Sequence, residues 1–124
     1  MSKAARSVYV FGIYLIILGG ILIGAPNLLL AMVRLPLSEE PWIRVLGIPV
    51  MGMGMTYLTA ARAELTILIR STVKVRLFVL VAFTAFVVLK IAPPVVAVFG
   101  LVDGLGALWT YLSLRQPVVE VRPA

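Results

Sequence analysis

The chain of 124 residues has no cysteine and no histidine, and only five acidic residues. These absences exclude disulfides, thiolate chemistry, iron–sulfur clusters, histidine-ligated haem or chlorophyll, zinc sites and histidine-based triads. Charge is scarce as well: Asp, Glu, Lys and Arg make up 13% of the residues, where a soluble domain has about 25%. Apolar residues fill the gap, at 62% of the chain and a mean hydropathy of +1.12. The length allows one domain, and a water-soluble fold of that size cannot hide so much apolar surface. The expected fold class is an all-α membrane protein: a four-helix transmembrane bundle with a short interfacial helix after the first span.

A bilayer needs about 20 helical residues per span. Charges and prolines bound four such runs, at about 8–24, 42–61, 73–89 and 95–114, with Thr66 to Ile69 as a candidate lead-in turn to the third. Gly24-Ala25-Pro26-Asn27 interrupts the first run. Pro26 suits the first turn of a new helix, where its missing N–H costs nothing, and 28–35 reads as a short helix lying in the interface. Ser38, Glu39 and Glu40 precede the helix opening at Pro41 and Trp42 and are expected to cap it. The tail, 115–124, is short, as fraying ends are. Lys3 and Arg6 resemble the basic start of a secretory signal, but no A-x-A site follows, so the first segment reads as an anchor that stays.

Orientation follows from Lys and Arg in the short flanking segments. Lys3, Arg6, Arg62, Arg70, Lys74, Arg76, Arg115 and Arg122 put eight on one side, and Arg34, Arg44 and Lys90 put three on the other. Both termini are therefore expected in the cytoplasm, with the chain a multi-pass protein of the cell's inner (plasma) membrane. The net charge of +6 then reflects topology and calls for no nucleic acid, while attraction to anionic lipids follows from the same residues.

In lipid, helices associate through close backbone approach more than through hydrophobic drive. Gly20 and Gly24 in the first span, and Gly100 and Gly104 in the last, are candidate packing seams, with Gly106 and Ala107 beside the second. Gly47, Met51, Gly54 and Leu58 share a face of the second span, which Pro49 is expected to kink. The third span has no glycine and carries Phe78, Phe83 and Phe86. Met51, Met53 and Met55 invite a Cu(I) reading, yet at about 100° per residue Met53 points roughly 200° away from Met51. Packing filler is the better account of them, and no metal or cofactor is expected.

Asp103 is the one acid deep inside a span, and an intramembrane carboxylate is a functional hypothesis by default. At about 1.5 Å per residue it lies roughly 12 Å below the outer surface. Arg44, about 3 Å below that surface, can reach inward on its long side chain. Thr84 sits at nearly the depth of Asp103, whereas Arg76, at the cytoplasmic end, falls roughly 12 Å short. Tyr14, Thr56 and Tyr57 are further polar groups in the inner half. Two readings of the acid stand side by side. One is an interhelical clamp of Asp103 with Arg44 or Thr84, or a protonated acid donating to a carbonyl. The other is a proton, cation or lipid-ligand site.

Three stretches carry a family likeness: Arg44-Val-Leu-Gly47, Tyr57-Leu-Thr-Ala-Ala-Arg62, and Phe99-Gly-Leu-Val-Asp103-Gly-Leu-Gly-Ala-Leu-Trp109-Thr. On these, the chain resembles small bacterial four-helix membrane proteins of the DoxX-like kind, over nearly its whole length. The resemblance implies four helices with an Arg near the outer end of the second. It brings no catalytic residues, and the redox cysteines of some relatives are missing.

The leading functional expectation is a non-catalytic accessory subunit of a larger inner-membrane complex, with other membrane subunits or a second copy of itself as partners alongside the lipid bilayer. Gly100 and Gly104 are its candidate seam. The alternative is a small proton-coupled transporter, or a carrier of lipid or another hydrophobic ligand, that uses Asp103. A membrane enzyme working through Asp103 with Tyr57 or Tyr14 ranks last, because no second carboxylate, histidine or metal site supports it.

Overall fold

The computed structural model describes residues 1–115, so all of the expected tail but Arg115 lies outside the described residues. Five helices follow in order: α1 (Lys3–Gly24), α2 (Pro26–Met32), α3 (Pro41–Arg62), α4 (Thr66–Val88) and α5 (Val95–Arg115). No strand occurs among the described residues. All but α2 are long and apolar enough to cross a membrane.

Two helices begin earlier than their apolar runs. The Ser2 side chain accepts the Ala5 amide at 3.1 Å and so starts α1 at Lys3, satisfying one of the orphan donors of a first turn. Ala4, Ala5 and Ser7 are buried there. The lead-in turn belongs to α4, which runs from Thr66 through Arg70 and Lys74. It buries Ile69, Thr72, Val73 and Arg76 on one face while Arg70 and Lys74 stay exposed on the other. Counting apolar residues misplaces this start because the extra turns are amphipathic. α2 begins at Pro26, two residues before the expected start. Ser38 does not cap α3, whose N-cap Glu40 makes no side-chain cap bond. The Ser38 hydroxyl instead accepts the Glu40 amide at 3.1 Å, and its own amide donates to Asn27 at 2.9 Å, tying the loop back to α2. α3 stays helical through Pro49.

Three helix ends share one device. After α2, α3 and α4 the chain turns through a left-handed residue: Arg34, Glu64 and Lys90, with φ between 52° and 60°. In each case the next amide reaches back to the last turn: Leu35 to Leu30, Leu65 to Ala60, and Ile91 to Phe86. This is the Schellman geometry, in which glycine is the usual left-handed residue. The chain has no glycine at any of the three positions.

Glycine serves the helix contacts instead. α1 and α3 run antiparallel with their backbones in contact. A Cβ on Gly19 would lie 2.7 Å from the Met51 nitrogen and 2.8 Å from the Gly47 oxygen, and one on Gly47 would lie 2.7 Å from the Gly19 oxygen. Gly12 and Gly54 repeat the arrangement, a Gly54 Cβ lying 2.8 Å from the Gly12 oxygen. Both pairs recur at seven residues, Gly12 to Gly19 and Gly47 to Gly54, the spacing that returns to one helix face every two turns. The expected seam on α1 is on another side: a Cβ on Gly24 would meet nothing within 4 Å, and one on Gly20 only the tip of Met51, at 3.4 Å.

α4 and α5 form the second antiparallel pair, with Gly100 facing Phe83 and Gly104 facing Leu80. α1 also packs on α5, while α3 and α4 approach each other sparsely. The tight core sits at the end of the bundle that carries the N-terminus, around Ala5, Val8, Phe11, Tyr57, Ala61 and Ile69. Towards the other end the two pairs separate.

Candidate functional site

Where the pairs separate they enclose a cavity of about 290 Å³. Its walls are apolar, from Leu15, Leu18 and Leu22 of α1 to Val79 and Phe83 of α4, and Leu29 of α2 lies at the end away from the core. Phe11 to Leu22 marks its length along α1, which at about 1.5 Å per residue is roughly 16 Å. Leu46 and Met53 of α3 and Val75 of α4 line the cavity and are also exposed on the outside of the bundle. The cavity therefore opens sideways, between α3 and α4.

Its deep end is polar, and Arg76 is the centre of it. Its Cα lies ten residues into α4, roughly 15 Å from the helix start, its guanidinium reaches back one turn to Thr72, and the residue is 1% exposed. Nε donates to the Thr72 carbonyl at 3.1 Å, and Nη2 donates to the Thr72 and Thr110 hydroxyls at 3.0 and 2.8 Å. Thr110, 0% exposed, shares a 2.7 Å hydrogen bond with Ser7, so α1, α4 and α5 meet in one polar chain. The Arg76 guanidinium lies 4.8 Å from the Phe11 ring centre and 5.8 Å from that of Tyr57, within the range of a cation–π attraction. Gly106 makes room for this stack, since a Cβ there would meet the Phe11 ring at 2.9 Å and Nη1 at 3.1 Å.

Three polar groups at this end lack partners in the protein. Nη1 of Arg76 and the Tyr57 hydroxyl are fully buried and make no hydrogen bond. Asp103, half-buried on the cavity wall, has no hydrogen-bond partner among the described residues, and all the hydrogen bonds of Arg76 go to threonines. Asp103 and Gly106 lie one turn apart on the same face of α5, which sets the carboxylate just above the guanidinium. Tyr14 lines the same stretch of wall. An unmade hydrogen bond of this kind costs about 1–3 kcal/mol, and of the three groups Asp103 is the one that keeps accessible surface.

The residues singled out from sequence are dispersed. Asp103 is at the cavity, but neither expected clamp partner is with it. Arg44 reaches α1 rather than α5, donating to the Ile23 and Gly24 carbonyls at 2.6 and 3.3 Å. It thereby satisfies helix-end carbonyls where α1 has no basic residue of its own in its last turn. Thr84 is on the exposed face of α4. Gly100 and Gly104 face α4 within the bundle. Arg76, Thr72, Thr110, Ser7 and Phe11 are what the sequence reading missed. Their signal was the four-residue step from Thr72 to Arg76, which places a hydroxyl beside the guanidinium on one helix face. Among the described residues no cluster of acidic side chains could hold a metal ion. No family model, curated protein or solved structure matches the chain.

Proposed function

We propose that this is a four-span membrane protein that binds one lipid-like molecule in its cavity and takes it up sideways from the bilayer through the gap between α3 and α4. The observation that carries this is an apolar cavity with one acid, Asp103, on its wall and the buried Arg76 guanidinium behind that wall. A volume near 290 Å³ stands at the lower edge of ligand sites, about 300–1,000 Å³. The membrane setting is supported by the broad apolar exposure of all four long helices and by exposed Trp42 and Trp109 towards opposite ends of the bundle, where interfacial aromatics belong. With Lys3, Arg6, Arg62, Arg70, Lys74 and Arg115 at the end of the N-terminus, that end faces the cytoplasm of a bacterial inner membrane.

The role is one of carrying or sensing, without catalysis. This reading now ranks above the accessory subunit, because the seam offered for a partner, Gly100 and Gly104, is covered by Leu80 and Phe83 of the same chain. The test is native mass spectrometry of the gently extracted protein beside Val79→Trp, which fills the cavity. One lipid-sized adduct on the unaltered chain, lost in Val79→Trp, is the expected result. A bare chain in both sinks the proposal, and a large defined assembly of other chains restores the subunit.

A further inference from the structure

The deep end of the cavity holds a cation and an anion whose hydrogen bonds are not made to each other. Arg76 turns Nε and Nη2 towards Thr72 and Thr110 and keeps Nη1 without a partner. Asp103 faces the same space. A ligand head seated there touches Asp103 and lies in the field of the buried Arg76. In a low-dielectric site an anionic head gains from Arg76 and is opposed by Asp103, and a cationic head meets the reverse. Either charge also loses its own hydration at mid-depth of the bundle, a heavy cost for any ion or zwitterion. An uncharged hydroxyl escapes both penalties, since it accepts and donates at once. It can give a hydrogen bond to the Asp103 carboxylate on the cavity wall, while Nη1 and the Tyr57 hydroxyl stay buried behind that wall.

Size narrows the choice further. A volume near 290 Å³ drawn out over roughly 16 Å along α1 suits one acyl chain rather than the two of a bilayer phospholipid. We propose that the ligand is a single-chain lipid with an uncharged, hydroxyl-bearing head, anchored on Asp103 beside the buried Arg76, with its tail lying along α1 towards Leu22 and Leu29. This assignment rests on the ligand-binding reading above and adds the chemistry of the head.

The test uses the full chain in phosphatidylcholine nanodiscs and three probes with the same twelve-carbon tail: monolauroylglycerol, laurate and dodecylammonium. Binding of each is read by native mass spectrometry and by competition. Monolauroylglycerol is expected to bind one per chain, with both charged probes weaker by about tenfold or more. Asp103→Asn removes the charge that opposes anions, and its expected effect is to move laurate to the top of the ranking. Laurate or dodecylammonium equal to monolauroylglycerol on the unaltered chain overturns the head assignment and leaves the cavity as a lipid site. The same follows if Asp103→Asn keeps the original order. If that variant does not fold, the ranking on the unaltered chain decides alone. Binding of none of the three overturns the ligand reading itself.

Discussion

Thr110 concentrates more of this structure than its size suggests, because one hydroxyl joins Ser7 of α1, Arg76 of α4 and its own helix carbonyl at Gly106. Thr110→Val keeps the shape and removes all three contacts. It leaves a buried guanidinium short of a partner, and the expected loss is about 1–3 kcal/mol, read by unfolding in detergent. Thr110→Ser should recover most of it, and a valine variant as stable as the parent would mean that the chain of hydroxyls does not hold Arg76. At this scale the site was half legible. Asp103 was legible because a lone acid in an apolar run has no cheap alternative to a special role. Arg76 was not, because Lys74 and Arg70 beside it look like the charged border of a span. Only the three-dimensional helix shows that these two point outward while Arg76, on the opposite face, points in. Arg44 misled for the complementary reason: depth along a helix axis says nothing about which neighbour a long side chain will find.

Between helices, two kinds of glycine are expected to respond differently to the same substitution. Gly19→Ala places a methyl 2.7–2.9 Å from Met51 and Gly47, mostly against backbone that cannot move aside. Such overpacking costs about 1–3 kcal/mol. Gly24→Ala meets nothing within 4 Å and should stay within about 0.5 kcal/mol of the parent. Equal melting of the two would remove the case for a backbone-to-backbone α1–α3 contact. The helix ends offer a gain: Lys90→Gly relieves a left-handed lysine at φ 60°, a conformation that costs a residue with a Cβ about 1–2 kcal/mol, so the variant should melt later. The existence of the long apolar helices was readable from hydropathy. Which glycines matter was readable in part: the face shared by Gly47 and Gly54 meets α1, and Gly100 with Gly104 packs on α4, but on α1 the four-residue step of Gly20 and Gly24 draws attention away from Gly12 and Gly19. The starts of α1 and α4 escaped for a related reason: their first turns are amphipathic, and a count of apolar residues stops at the first charge.

For the molecule as a whole, the absence of cysteine makes single-cysteine labelling free of background. Leu37→Cys, in the loop before α3, should react with a membrane-impermeant maleimide on intact cells. Ala63→Cys, between α3 and α4, should react only after lysis. The reverse pattern would invert the orientation read from the basic residues. The unequal construction of the two helix pairs bears on how anything enters or leaves. α1 and α3 are in backbone contact at two levels, a joint with almost no play. α4 rests on α5 where Gly100 meets the Phe83 Cβ and the Leu80 backbone and where Gly104 meets the tip of the Leu80 side chain. The polar chain of Ser7, Thr110 and Arg76 ties α1, α4 and α5 together near the end of the bundle that carries the N-terminus. A ligand of the proposed kind would therefore leave tail first, at the untied end beside α2.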